Sequence, residues 1–217
     1  MYTPPLFRED RGEVLHALMG QHSLATLVTS ADDGLVANHL PLLLHPNEGA
    51  HGVLRGHLAR ANPQWRSLRT EVHALAIFQG PSAYVTPSWY GTKQETGKVV
   101  PTYNYVVVHA HGPLRVVEDS DQLEGHVRAL TEFHEARLGS GWSVDDAPHE
   151  FIREQLKNIV GIELTIVKLE GKWKVSQNRL PADRAGVAAG LRALDHVAGD
   201  AESAIMADWI EAKSPSL

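Results

Sequence analysis

The sequence predicts a β-barrel with peripheral helices (α+β), built from six or seven antiparallel strands. Two observations carry this. Short β-type runs recur at hairpin spacing with turn residues between them, and the helical patterns sit between or after those runs instead of alternating with them.

Taken in order, Arg11 to His22 reads as a first helix, with Val14, Leu15, Leu18 and Met19 on one face and Asp10 as its cap. Ala25–Ser30 is a strand, Ala31-Asp32-Asp33-Gly34 a turn, and Leu35–Leu44 the returning arm of a hairpin. Gly52–His57 is the next strand. Asn62 and Pro63 then open a helix, the first as cap and the second at the position where a missing N–H costs nothing. His73–Gln79 is a strand closed by Gly80-Pro81. Ser82–Tyr90 continues as an extended loop, and Lys93–Val99 is polar and expected to be mobile. Thr102–Val117 is a long β stretch bent near Gly112-Pro113. Helices are expected over Ser120–Leu138 and Asp145–Lys157. A closing hairpin, Ile159–Leu169 and Lys172–Gln177, is expected around Glu170-Gly171. The tail, Ala182–Ala212, reads as two short helices split near Gly199. The implied organisation is a barrel domain over residues 1–180, with helices inserted at about 120–157, and a helical extension over 181–217.

With 217 residues, 43% of them apolar and 21% charged, the chain can bury a core without staples. It has no cysteine, so disulfides and thiolate metal sites are excluded. No apolar run reaches the roughly 20 residues of a membrane helix, and Met1–Asp10 lacks a signal-peptide pattern. The expected location is the cytoplasm. A net charge of −6 argues against a duplex-DNA binder, whose affinity comes largely from cationic contacts to phosphate.

Four segments could carry chemistry. Arg55 to Pro63 runs a strand into a capped helix with Arg60 beside it. A phosphate suits that corner, and so does an ordinary cap beside a solvent-exposed arginine. Gly80–Tyr90 packs two prolines, hydroxyls and three aromatics into eleven residues, which fits a flat polar-edged ring or a packed surface loop. Val99–Tyr105 leads into His109 and His111 on one strand face. A zinc site needs a further ligand of suitable type and no HExxH pattern exists, so hydrogen-bonded barrel histidines are the better reading and no metal is expected. Lys172–Arg179 is either a basic surface strand or a set of polar side chains gathered beside a ligand. No GxSxG, P-loop or GxGxxG motif is present.

Together these segments resemble the PaiB family. The resemblance rests on Met1-Tyr2-Thr3-Pro4 with Phe7, His39-Leu40-Pro41-Leu42, Gly56–Pro63, the Gly80–Tyr90 loop, Pro101–Tyr105, Ile159-Val160-Gly161 and Lys174–Asn178, in order over about residues 1–190. Departures are slight: Tyr103 stands where Trp is commoner, and Val175 where Leu is usual. The resemblance implies an FMN-binding split barrel related to pyridoxamine 5'-phosphate oxidase, working as a homodimer with FMN at the subunit interface. It also implies a negative regulator of transcription. On that basis Asn38, His39, His57, Arg60 and Asn62 are expected on the phosphate and ribityl side. Ser88, Trp89 and Tyr103 are expected near the flavin ring. The acidic charge makes direct DNA contact doubtful and an indirect role easier. The alternatives are an FMN-dependent oxidoreductase, with His57 or His109 as proton donor, and, behind it, a haem-handling protein.

Overall fold

The computed structural model describes residues 1–198 and 200–212. Along the chain the elements are β1 (Arg8–Glu9), α1 (Gly12–Gln21), β2 (Leu24–Ala31), β3 (Gly34–Pro41), β4 (Leu43–His45), β5 (Val53–Ala59), β6 (Ala74–Val85), α2 (Thr92–Thr96), β7 (Thr102–Gly112), β8 (Leu114–Val117), α3 (Ser120–Leu138), α4 (His149–Leu156), β9 (Ile159–Thr165), β10 (Lys168–Lys174), α5 (Pro181–Ala198) and α6 (Ala201–Ala212). None of these helices is long and apolar enough to cross a membrane.

The chain forms two compact units. The first comprises Met1–Leu15, Gln79–Val108 and Glu170–Leu217, the second His16–Phe78 and His109–Leu169. β6 and β7 contribute residues to both. In the first unit β1 pairs with β10, Arg8 lying opposite Lys172, and the strand order continues through β7 to β6. The helices α5 and α6 of the C-terminal segment pack on each other in this unit. In the second unit β6 pairs with β2 and β2 with β3, while β4, β5, β9 and β8 form an antiparallel four-stranded sheet.

Local sequence explains much of this. β2 buries alternate residues, Ala25, Leu27, Thr29 and Ala31, as a strand with one face on a core must. α3 begins where Asp119 accepts from the Gln122 N–H at 2.9 Å and ends at Gly139, whose φ of 65° suits a left-handed cap. Its buried face is Leu123, His126 and Leu130. Between β7 and β8 the chain turns at Gly112, where a Cβ would fall 1.8 Å from the Thr165 carbonyl oxygen.

Several expectations are corrected. The helix anticipated after Asn62 is a single 3-10 turn, Pro63–Trp65: its start signals are sound, but no apolar helical stripe follows them. β6 runs straight through Gly80-Pro81, both buried, because strand pairing overrides the local turn signal. The segment expected as one arm, Leu35–Leu44, breaks at Leu42 into β3 and β4, which pair with different strands. The closing hairpin does not form. β9 is central between β5 and β8, whereas β10 pairs with β1 and β7, and the chain turns at Ile166-Val167 instead of Glu170-Gly171. The polar stretch from Lys93 contains part of a short helix, α2, ended by Gly97 in the left-handed region.

Candidate functional site

In the second unit, the 3-10 turn after β5 is held by a buried glutamine. Gln64, 1% exposed, accepts from Asn38 Nδ2 at 2.8 Å and donates to Thr29 Oγ1 at 3.0 Å, while its backbone N–H is capped by Asn62 Oδ1 at 3.0 Å. Asn38 and Asn62 therefore meet at one side chain that the sequence did not single out. His39, next along β3, is exposed, since adjacent strand residues point to opposite faces. Arg60 leaves the same corner. Its guanidinium reaches the Lys157 carbonyl at 3.0 Å and Glu118 at 2.8 Å, and it lies 5.8 Å from the Trp65 ring centroid. The corner thus presents a half-exposed guanidinium whose ion pair is with an exposed carboxylate.

His57 turns elsewhere. Its Nδ1 lies 3.2 Å from Nε2 of His126 on α3, the rings edge to face. Burial lowers the pKa of His57, and burial followed by the charges of His57, His45 and Arg55 lowers that of His126 to about 4. Both are therefore neutral near pH 7. His126 lines a cavity of about 310 Å³ with His45, Arg55, Leu123 and Glu163. Glu163 takes Arg55 Nε at 2.7 Å and Arg115 Nε at 2.6 Å, and Arg55 also grips Glu48 at 2.6 and 2.8 Å. Burial pushes the Glu163 carboxyl up, but the two arginines outweigh it and hold its pKa below the ordinary value. These four charges cancel, so the cavity is electrically balanced and suits an uncharged occupant. His126 is legible in retrospect: it sits three residues after Leu123 and four before Leu130 on the apolar face of α3.

In the first unit, Ser88 and Trp89 lie on the 3-10 turn Pro87–Trp89, capped by Thr86 Oγ1 on the Ser88 N–H at 3.3 Å. Ser88 is exposed, whereas Trp89 is half-buried against α5, whose Gly186 and Gly190 leave room for it. Tyr103 is 59% exposed and packs edge to face on Tyr84 at 5.6 Å. Beside it lies Lys174, from the segment read as a basic surface strand or as polar side chains gathered beside a ligand; its Nζ donates to Thr102 Oγ1 and, at 2.6 Å, to the Tyr103 carbonyl.

Comparison with known proteins adds the following. Residues 1–168 match the family described as "Putative FMN-binding domain". An uncharacterized protein of Emericella nidulans is 35% identical, covering 92% of this chain and 93% of its own. The protease synthase and sporulation protein PAI 2 of Bacillus subtilis is 32% identical, over 84% of this chain and 85% of its own. Among solved structures, the FAD and heme binding protein from Mycobacterium smegmatis has a TM-score of 0.55 at 17% identity, covering 77% of this chain and 73% of that one. A protein from Bacteroides thetaiotaomicron described as a "putative 5-nitroimidazole antibiotic resistance protein" has a TM-score of 0.54 at 10% identity, covering 76% of this chain and 85% of that one. Likenesses at this level of identity establish the fold, an antiparallel split barrel with peripheral helices.

Proposed function

Because the chain belongs to the FMN-binding-domain family that includes the PaiB-type proteins, we propose that it is an FMN-binding protein working as a cytoplasmic homodimer. The observation that carries this reading is the family match over residues 1–168, which contains the whole Gly56–Pro63 segment.

The residues present suit the cofactor's phosphate. Among the described residues, the ion pair of Arg60 is with Glu118, whose side chain is 57% exposed, so a phosphate dianion can take the place of that carboxylate without breaking a buried contact. Asn38 on β3 adds a donor, and Asn62 with Gln64 keeps the turn in shape, while His39 points to the other face of β3 and takes no part in this contact. His57, neutral beside His126, would face the ribityl side as a hydrogen-bonding group that adds no charge. Ser88, Trp89 and Tyr103 would serve the ring from the partner subunit. Bound FMN would supply hydride and single-electron transfer, and the protein's part is placement and electrostatics.

The decisive experiment titrates purified protein with FMN and with riboflavin, following flavin fluorescence. Arg60→Ala is expected to weaken FMN binding roughly tenfold or more, an effect of one charge-assisted contact, and to leave riboflavin binding unchanged. Equal FMN affinity in the variant would rule out the phosphate assignment. Wild-type protein that binds neither flavin would rule out the cofactor. The regulatory role borne by the PaiB name is proposed here as an indirect one, exerted through a partner or a metabolite and not by gripping duplex DNA.

A further inference from the structure

The cavity of about 310 Å³ in the second unit is walled by residues of α3 and of the strands β4, β5, β8 and β9. Two of the residues lining it hold an unspent imidazole nitrogen. Nδ1 of His126, a residue 9% exposed, and Nε2 of His45 are buried and have no hydrogen-bond partner among the described residues. The rings are near enough for the charge of His45 to bear on His126. A buried polar atom without a partner is costly, and two at one cavity point to an occupant that satisfies them.

Gly125 supplies a second, independent sign. It lies inside α3, where glycine is a poorer helix former than alanine. Packing does not demand it, since nothing lies within 4 Å of the place its Cβ would take. The other two glycines lining the cavity are explained by their neighbours. A Cβ at Gly56 would fall 2.7 Å from Leu42 Cδ2, and one at Gly161 would fall 3.0 Å from Leu123 Cδ2. Gly125 is exposed, and what it leaves open is the mouth of the cavity.

The polar groups define the occupant. Arg55 spends Nε on Glu163 and both terminal nitrogens on Glu48, and Arg115 takes the other oxygen of Glu163. These charges are matched within the protein, so a charged ligand would bring one that nothing balances. His45 Nδ1 lies 3.5 Å from Glu48 Oε1. An ionised carboxylate only accepts, so in the neutral ring Nδ1 carries the proton and Nε2 is an acceptor. His126 Nε2 pairs with His57 Nδ1 at 3.2 Å, and with His57 donating, His126 Nδ1 bears the hydrogen. Val117, Leu123 and Ile162 add apolar wall. The matching molecule is uncharged and carries a donor beside an acceptor on an apolar body.

We propose that this cavity binds a small, uncharged, ring-bearing carboxamide, its N–H donated to His45 Nε2 and its carbonyl accepting from His126 Nδ1. The volume suits a ligand of about ten non-hydrogen atoms. None of the residues assigned above to the flavin lines this cavity, so the inference is independent of that reading.

The test uses the whole chain and three probes of one shape: benzamide, benzoate and benzamidine, which are neutral, anionic and cationic. Binding is followed by backbone amide shifts in proton–nitrogen correlation spectra. Benzamide is expected to bind with a dissociation constant on the order of 1 mM or lower and to move the Gly125 and Gly161 amides. Both charged probes should bind roughly tenfold or more weakly. Gly125→Leu puts a side chain into the open space and should abolish benzamide binding. His126→Leu removes the donor and should weaken it roughly tenfold. Should one of these variants misfold by circular dichroism, the other decides. The proposal falls if benzamide causes no shifts, if the charged probes bind as well, or if a folded Gly125→Leu binds benzamide like wild type. Displacement of benzamide by FMN would place the probe in the cofactor site and overturn the proposal while the flavin reading stands. Benzamide binding with these shifts in a protein that takes no FMN would overturn the flavin reading and uphold this one.

Discussion

His126 shows how one side chain can set a pH limit on the fold. It occupies an apolar position of α3, is 9% exposed, and among the described residues its Nδ1 has no hydrogen-bond partner. Its folded pKa, about 4, lies below the ordinary 6.5. Between those values the unfolded chain binds the proton and the native one resists it. The associated stability is thus complete above pH 6.5 and is lost as pH falls towards 4. A shift of that size corresponds to an order of 3 kcal/mol. Urea midpoints taken from pH 7 to 4.5 should fall accordingly, and His126→Leu should flatten the profile over that range. An unchanged slope in the variant would remove His126 as the source. The phosphate contact tested by Arg60→Ala belongs to the same scale, since it turns on the exchange of one surface carboxylate for one ligand dianion.

Among the elements, α5 is shaped to accept Trp89. Gly186 and Gly190 stand one turn apart on the same face. A Cβ at Gly190 would lie 2.4 Å from Trp89 Cδ2, and one at Gly186 would lie 2.1 Å from the Trp89 carbonyl oxygen. Gly190→Ala must push the indole aside, an overpacking cost of about 1–3 kcal/mol that exceeds the roughly 1 kcal/mol gained in helix propensity. A lowered Tm is expected. Gly125→Ala on α3 should do the opposite, by about 0.5–1 kcal/mol, because nothing lies within 4 Å of the place its Cβ would take. Thermal scans of both variants separate packing from propensity. α3 was legible in the sequence because its cap, its apolar stripe and its terminal Gly139 are all local. The run of β6 through Gly80-Pro81 was not, because the strands it pairs with are distant in sequence.

At the scale of the whole molecule, charge decides what the protein can hold. A net charge of −6 opposes non-specific association with a polyanion. Purified protein, with or without FMN, is expected to give no shift of duplex DNA even at low salt. A salt-sensitive shift would show that a regulatory role is direct. Among the described residues cations are used locally: Arg55 and Arg115 neutralise Glu163 and Glu48, while neither Lys174 nor Arg179 has a carboxylate within ion-pairing distance.

By itself the sequence determined the fold class, the position of most elements, and the family, because strand alternation, helix caps and ordered motifs are written in neighbouring residues. Tertiary structure alone decided that Gln64 would join Asn38 to Asn62, that His57 would face His126, and that β9 and β10 would part company. It also decided that Lys174 would meet Tyr103, 71 residues away. Such contacts depend on which strands become neighbours, and that choice is settled by the burial of the whole chain.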